Sequence, residues 1–336
     1  MIIFLILVTG IISSAIYINR AGSKPSKTNL KTKVTKETGT NTVNTKEPKK
    51  EPKKEPKKES KDDALTFSVL GDIHGNGLKL DNAICDLYSV NNDMDAMILN
   101  GDNVDEGLKT QYAALKFALL KDANALPKTI IKNIGNHDYF DYSRGYNSLE
   151  DVQNFKNLYF NFSGEKEVYH DRWIKGYHFI SLGSESGNTK DLGNVNASLS
   201  DKQLNWLKGK LGENHQKGKP IFVFLHQHLN TSIKGWIGVV QRNKLTKILA
   251  QYPEVIIFTS HTHVLLNVDN VKLNQPFTIA NTGGVHYAIQ PGEYGITRLY
   301  DESQGLYVEV KGNKTTIKGR DFIKKSWIFT KEVPGM

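Results

Sequence analysis

The chain has 336 residues, of which 38% are hydrophobic and 10% aromatic, so it can fill an ordinary core and wholesale disorder is excluded. Its net charge of +9 is uneven: residues 1–63 contain 14 basic and 7 acidic side chains, which leaves +2 for residues 64–336. The basic pI therefore describes the N-terminal part and is no evidence that the folded part binds nucleic acid. A single cysteine, Cys85, excludes an intrachain disulfide and a cysteine-based zinc site. We expect Cys85 to be a small, buried apolar residue.

The first segment, residues 2–19, is an apolar run without charge that ends before Arg20. A helix of this length nearly crosses the hydrocarbon core of a bilayer. Residues 1–20 are therefore predicted to be a membrane anchor or a signal segment. No basic region precedes the run, and residues 13–15 form only a weak cleavage site, which favours an uncleaved transmembrane helix.

The next segment, residues 21–63, contains almost no large apolar side chains and repeats Glu-Pro-Lys-Lys three times in succession. It cannot bury enough surface to offset its chain entropy, so a disordered, extended linker is predicted. The linker is either a plain spacer or a spacer that also binds an anionic envelope surface. Its lysines favour a cytoplasmic flank, whereas a short anchor before a long polar stalk is typical of an exported domain. We expect the folded domain to lie outside the cytoplasm.

From residue 64 onward, short apolar runs alternate with segments of helical periodicity, which predicts an α/β fold with a pair of sheets at its centre. Helices are predicted after the first polar cluster, from Ser200, and over residues 242–252. No linker interrupts residues 64–336, so one domain is expected. The predicted strands are residues 66–70, 96–99, 129–134, 178–182, 221–225, 255–259, 264–268, 276–280, 294–300, 306–310 and 315–318.

Five of the buried runs end in side chains that bind metals. In an open α/β sheet the carboxyl ends of neighbouring strands line one crevice, so these clusters should face one site. Six of the ten histidines fall in them. The mixed oxygen and nitrogen set suits Mn²⁺, Fe or Zn²⁺ and argues against a Ca²⁺ cage. The clusters are Asp72-Ile73-His74, Asp102-Asn103-Val104-Asp105, Asn136-His137-Asp138, His226-Gln227-His228 and His261-Thr262-His263.

The ordered series D-x-H, G-D-x-x-D, G-N-H-D, H and H-x-H resembles that of the calcineurin-like metallophosphoesterases over residues 72–263. The resemblance implies their fold, a central β-sandwich flanked by helices in α/β/β/α layers. It also implies a hydrolase that cleaves phosphomonoesters or phosphodiesters with two divalent metal ions. Such a metal pair neutralises the phosphoryl oxygens and lowers the pKa of a shared water, so that a metal-bridged hydroxide attacks in line.

The same resemblance assigns residues to roles. His137 sits beside the metals and stabilises the transition state or protonates the leaving group, and Asp138 orients it. The implied ligands are Asp72, His74 and His263 for one metal, Asn136, His226 and His261 for the other, and Asp102 as the bridge.

Two departures from the family pattern stand out. Ser260 replaces the usual glycine of the last motif. His226 and His228 are both candidates for one ligand; His226 is favoured because it directly follows the apolar run, which leaves His228 as a substrate contact. The stretch 103–105 lacks the tyrosine of the purple acid phosphatase branch, which speaks against that branch.

Three more residues have alternative roles. Asp105 is a helix N-terminal acid or a support for the ligands, Asn76 is a turn residue or a phosphate contact, and His286 is a loop residue or a substrate contact. The main alternative function is an envelope-binding surface protein with a structural or vestigial metal site. A nuclease would need a basic, aromatic-lined groove, so no specific nucleic-acid partner is expected. Substrate specificity is expected to lie in loops 141–176, 185–199 and 228–241.

Overall fold

The computed structural model describes residues 64–229, 237–292 and 295–335. The predicted anchor, residues 1–20, and the predicted linker, residues 21–63, lie outside the described residues. Within the described ranges, no helix combines the length and the apolar character needed to cross a membrane.

The described chain contains fourteen strands and five α-helices, together with short 3-10 helices at His137–Tyr139 and Val268–Asn270. In chain order they are β1 (Leu65–Leu70), α1 (Gly77–Val90), β2 (Ala96–Asn100), α2 (Lys109–Lys121), β3 (Thr129–Asn133), α3 (Leu149–Ser163), β4 (His170–Ile174), β5 (Tyr177–Ser181), α4 (Asp201–Gly212), β6 (Ile221–Leu225), α5 (Arg242–Leu249), β7 (Val255–Thr259), β8 (Val271–Lys272), β9 (Thr278–Asn281), β10 (Ala288–Gly292), β11 (Gly295–Leu299), β12 (Gln304–Lys311), β13 (Lys314–Asp321) and β14 (Ser326–Val333).

Two six-stranded sheets form the centre of the fold, and β10 and β11 form a separate hairpin. The first sheet has the order β14-β13-β12-β1-β2-β3, in which β1, β2 and β3 run parallel and β12 is antiparallel to β1. The second has the order β4-β5-β6-β7-β9-β8, with a parallel core of β5, β6, β7 and β9. Parallel strands send their carboxyl ends to one edge, which positions the functional site.

The two sheets pack face to face around aromatic side chains. Phe67 of β1 lies between the sheets, with its ring centroid 5.0 Å from that of Phe179 in β5 and 4.9 Å from that of Phe222 in β6. Edge-to-face contacts at such distances are the favoured geometry for buried rings.

Helices cover both outer faces. Apolar residues of α1, α2 and α3 share one buried cluster with the first sheet, and those of α4 and α5 share another with the second. The layers are therefore α/β/β/α, which confirms the predicted fold class.

Two local predictions are wrong. Residues 264–268 are not a strand, because Val264 makes only an isolated bridge to Ile289 and a 3-10 helix begins at Val268. Cys85 is exposed rather than buried, because α1 turns its neighbour Ile84 toward the core.

Candidate metal centre

The polar clusters at the strand ends meet at one edge of the sandwich, and both sheets contribute to them. All seven side chains that the sequence singles out as ligands are buried. The first sheet supplies Asp72, His74, Asp102 and Asn136 after β1, β2 and β3, and the second supplies His226, His261 and His263 after β6 and β7.

One group of possible ligand atoms consists of Asp72, His74 and His263, each offering an atom within 4.8 Å of the others. The Nε2 atom of His263 lies 3.2 Å from Asp72 Oδ1 and 3.1 Å from His74 Nε2. Two imidazole nitrogens and a carboxylate oxygen thus converge on one point, as a metal site requires.

A second group consists of Asp102, His226 and His261, with the same limit of 4.8 Å. His226 Nε2 lies 3.2 Å from Asp102 Oδ2 and 3.9 Å from Asp72 Oδ1. Asp102 Oδ2 is in turn 3.8 Å from His74 Nε2 of the first group. Asp102 therefore lies between the two groups, where a bridging carboxylate would lie.

Asn136 is placed beside this second group by its neighbours. The backbone N–H of His137 donates to Asp102 Oδ1 over 2.8 Å. Asn136 Oδ1 is buried and has no hydrogen-bond partner within the protein, and the same is true of Asp72 Oδ1. Buried oxygens without donors are costly unless a cation satisfies them, so these residues fit a pair of divalent metal ions.

In three of the histidines, a hydrogen bond at Nδ1 fixes the orientation of the ring. In each, Nδ1 faces an oxygen acceptor and must carry the proton, so Nε2 presents its lone pair to the centre. The acceptors are the Asn100 carbonyl for His226 at 2.8 Å, the Tyr287 carbonyl for His263 at 3.0 Å and the Asp105 carboxylate for His74 at 3.2 Å.

Backbone strain is concentrated at this edge. Five of the seven candidate ligands have φ between 48° and 70°, in the left-handed region that non-glycine residues rarely adopt. Such strain is stored at functional sites, where the surrounding structure holds it. The five residues are Asp72, His74, Asp102, His261 and His263.

The ligand groups differ in their electrostatics. Burial lowers the pKa of His226, but the charges of Asp102 and Asp72 outweigh that effect and raise it to about 9, so a cation that binds His226 would displace a proton. Burial raises the pKa of Asp72 to about 7 and lowers the pKa values of His261 and His263 well below the usual range. The neutral imidazole is the form that binds metals. The pKa of Asp102 is lowered despite its burial, because His226 and His137 lie close to it.

The geometry distinguishes His226 from His228. His226 belongs to the second ligand group. His228 does not; it is buried, and its ring lies 5.5 Å from the ring of His261.

His137 lies against the first group, with its ring centroid 4.4 Å from that of His74. Its Nδ1 is 2.9 Å from the Asp105 carbonyl and 3.3 Å from the hydroxyl of Tyr142. Burial lowers the pKa of His137, but the charges of Asp102 and Asp105 outweigh that effect and raise it to about 9. Since Nδ1 faces the Asp105 carbonyl, Nε2 is the nitrogen left to act on a substrate.

Asp138 does not make the contact that the sequence suggested. Its carboxylate accepts from the Gly135 N–H and from the Tyr112 hydroxyl, both over 2.7 Å. Its buried hydrogen bonds thus brace the loop that carries Asn136 and His137. The residue that holds the His137 ring is Asp105.

His286 and Asn76 meet at the rim of the centre. Asn76 Oδ1 accepts from the Lys79 N–H, so its Nδ2 faces His286 Nδ1 at 2.9 Å and donates to it. The proton of His286 is therefore on Nε2, and burial together with His74 lowers its pKa to about 4. The result is a neutral hydrogen-bond donor whose ring lies 5.7 Å from that of His74.

Ser260, the departure from the glycine of the family motif, joins the two sheets. Its hydroxyl accepts from Asn100 Nδ2 over 2.9 Å and lies 2.7 Å from Thr282 Oγ1. The replacement thus adds a buried hydrogen-bonded link directly behind the ligands.

Some supporting residues were not predictable as such. The Tyr142 hydroxyl lies beside His137, five residues earlier, only because of the course of the loop between them. The acceptor carbonyls of Asn100 and Tyr287 act through backbone atoms, which no side-chain motif records.

A family model described as calcineurin-like phosphoesterase matches residues 65–265. No curated protein sequence matches the chain significantly. Among solved structures, a dimetal phosphatase from Danio rerio is 12% identical with a TM-score of 0.55, and the match covers 81% of this chain and 99% of that one.

Two further structures are similar. A purple acid phosphatase from yellow lupin (Lupinus luteus) is 12% identical with a TM-score of 0.58, and the match covers 81% of this chain and 54% of that one. GAP50, an anchor in the inner membrane complex of Plasmodium, is 15% identical with a TM-score of 0.55, covering 81% and 89% of the two chains. At these identities the similarity shows the fold alone.

Proposed function

Because this chain belongs to the calcineurin-like phosphoesterase family and is thus a hydrolase that acts on phosphoesters, we propose that seven residues at the strand ends hold its two metal ions. The observation that supports this most directly is the pair of ligand groups, Asp72-His74-His263 and Asp102-His226-His261, at one buried edge. The first group would hold one ion, His226 and His261 with Asn136 would hold the other, and Asp102 would contact both. We propose Mn²⁺, Fe or Zn²⁺, because the donors are imidazole nitrogens and oxygens.

The chemistry divides between the ions and the protein. When bound, two divalent ions would supply positive charge to the phosphoryl oxygens and lower the pKa of a water molecule, so that it loses a proton to solvent and hydroxide is available to attack phosphorus at neutral pH. The P–O bond to the leaving alcohol breaks, and its electron pair stays on the leaving oxygen, which needs a proton. His137 Nε2 would donate that proton, while the Asp105 carbonyl holds Nδ1 at 2.9 Å.

His286, whose ring lies 5.7 Å from that of His74, would bind the phosphoryl group. Its Nε2–H is fixed as a donor by Asn76, and its backbone N–H donates to the Asp72 carbonyl over 2.9 Å. Because His286 is neutral and is not one of the seven proposed ligands, its N–H can bind a phosphate oxygen while the ligands remain available to the metal ions.

The test is hydrolysis of p-nitrophenyl phosphate and bis-p-nitrophenyl phosphate by residues 64–336, with added Mn²⁺ and with a chelator. Turnover that the chelator abolishes and Mn²⁺ restores is expected, and the faster ester identifies monoesters or diesters as the substrate class. Absence of turnover with two metal equivalents bound would contradict the proposal.

We further propose that residues 2–19 tether the enzyme to a membrane, with residues 21–63 as a spacer and the catalytic domain outside the cytoplasm. The uncharged apolar run and the polar, Lys-rich segment after it support this. The full chain should float with membranes in a density gradient, and external protease should digest it in cells freed of their outer wall layers. A chain that remains in the soluble fraction would contradict the tether.

The linker would also bind an anionic surface. Residues 21–63 with their excess of lysines should sediment with vesicles that contain anionic lipid and not with neutral ones, and the binding should weaken with salt. Equal binding to both vesicle types would leave the linker as a spacer.

A further inference from the structure

A pocket of about 280 Å³ opens next to His137. Eight residues line it, three of them aromatic, and we refer to it as the aromatic pocket. These residues are Phe140, Asp141, Tyr142, Arg144, Gly145, Tyr146, Asn188 and Asn194.

The aromatic pocket adjoins the group that acts on the leaving oxygen. The ring of Phe140 has its centroid 4.4 Å from that of His137, and the Tyr142 hydroxyl is 3.3 Å from His137 Nδ1. Both side chains therefore contact His137 and line the pocket. An alcohol whose ester oxygen leaves toward His137 would extend into this space.

The charges around the pocket exclude a second phosphate as its occupant. Arg144 is the one cation among the residues that line it, and its guanidinium is already bound: Nε lies 2.9 Å from Asp141 and Nη1 2.7 Å from Asp151. Asp141 itself lines the pocket, so Arg144 and its two carboxylate partners together leave no net positive charge there to bind an anion. The pocket thus suits an uncharged group.

The aromatic side chains indicate the shape of that group. Tyr142 and Tyr146 are 59% and 62% exposed, so the faces of both rings are accessible to a ligand in the pocket. Aromatic faces bind planar rings by stacking, whatever the identity of the ring. The polar edges of Asn188 and Asn194 would meet the hydrogen-bonding edge of a heteroaromatic ring.

The walls are held in place without an occupant. Two chain segments, one around Tyr139 and one around Gly187, are joined by the buried side chain of Asn147. It donates to the Tyr139 carbonyl over 2.8 Å and to the Gly187 carbonyl over 3.0 Å. Asn188 donates to the Gly145 carbonyl over 3.2 Å. A preformed cavity of this kind binds a ligand without first ordering a loop.

From these observations we infer that the aromatic pocket binds a planar, uncharged aromatic ring carried by the leaving alcohol. The preferred substrates would then be phosphoesters of ring-bearing alcohols such as nucleosides. This inference rests on the proposed function and adds to it the class of leaving group.

The test compares esters whose leaving oxygens are chemically matched and that differ only in the ring. Adenosine 5′-monophosphate is paired with methyl β-ribofuranoside 5-phosphate, and the methyl phosphodiesters of the same two alcohols form a second pair. We expect kcat/KM for the adenosine ester to exceed that of its partner by about tenfold or more, as stacking of one base provides. A ratio near one in both pairs would overturn the inference.

Variants locate the effect. Tyr146→Ala should bring the ratio toward one, Tyr146→Phe should retain it, and Phe117→Ala, which removes an exposed ring on α2, should leave it unchanged. A ratio that survives Tyr146→Ala in a protein with unchanged melting temperature would also overturn the assignment. Turnover of p-nitrophenyl phosphate and bis-p-nitrophenyl phosphate separates the two failures: the inference fails alone when either ester is cleaved, and the proposed function fails when neither is.

Discussion

The backbone carbonyl of Asp105 accepts a hydrogen bond from Nδ1 of His137 over 2.9 Å. The carboxylate of the same residue lies 3.2 Å from Nδ1 of His74. Asp105 thus orients a proposed metal ligand with its side chain and the proposed proton donor with its main chain.

Asp105→Ala is therefore expected to weaken metal binding at His74 and to lower kcat. Loss of the acceptor behind a ligating histidine typically costs roughly 10–100-fold in metal affinity or activity. Metal titration and steady-state kinetics check this, with Asp93→Ala, an exposed turn residue, as the control. Equal behaviour of the two variants would show that Asp105 has no positioning role.

His137→Ala should keep both metal ions and lose most turnover, by roughly 10²–10⁴ in kcat, because a positioned acid contributes about that much. Metal analysis of the purified variant and initial rates with both nitrophenyl esters measure the two effects separately. Activity close to that of the unmodified protein would remove His137 from the mechanism.

Gly135→Ala tests the close approach between two loops of the centre. A Cβ at residue 135 would overlap the side chain and the backbone N of Asp102, so the variant should lose metal and activity. Gly209→Ala on α4 is the matched control, because a Cβ there meets nothing within 4 Å and alanine is the better helix former. Full metal occupancy in Gly135→Ala would argue against the position assigned to Asp102.

Metal removal should destabilise the folded domain. Ligand binding to the native state alone adds about 2.7 kcal/mol at 100 times Kd, so a chelator should lower the melting temperature by several degrees. Asp102→Asn, which removes the proposed bridging charge, should show a smaller shift. A melting temperature that is the same with and without chelator would indicate that the centre binds no metal tightly.

A stability prediction concerns a buried ion pair outside the centre. Arg320 donates to both oxygens of Asp86, over 2.8 and 2.9 Å, and both residues are buried. Asp86→Ala leaves the guanidinium unpaired and should cost about 3–5 kcal/mol in the free energy of unfolding. Urea denaturation measures the loss, and the double variant Asp86→Leu with Arg320→Met should be less destabilised than Asp86→Ala. A loss below about 1 kcal/mol in Asp86→Ala would show that water reaches Arg320.

The sequence predicted the central strands well because they are buried on both faces and read as apolar runs. β6 and β7 are buried throughout and were found within their true bounds. β14 was missed, because half of its residues are exposed and its sequence Ser-Trp-Ile-Phe-Thr-Lys-Glu-Val has no run of buried residues. Edge strands carry little hydrophobic pattern, since only one neighbour and one face constrain them.

The candidate site was predictable where a motif carries it and not where residues outside the motifs support it. Asp72 and His74 lie two residues apart and belong to one ligand group. Tyr142, five residues after His137, reaches it through a loop whose course no local pattern specifies. The role given to Asp138 came from adjacency alone. In the fold its carboxylate turns away from His137 toward Tyr112, because the 3-10 helix at His137–Tyr139 points the two side chains in different directions.

The placement of ligands on both sheets has a consequence for how a new molecule matures. Under the proposed assignment, each ion needs residues from both halves of the chain. One set is complete only when His261 has left the ribosome, and the other only when His263 has. β1, which precedes the first ligands, also waits for β12 near residue 304 to cover its free edge. A nascent chain therefore holds its ligands far apart for most of its synthesis. The metal supply that decides activity is that of the compartment in which the finished chain closes its two sheets.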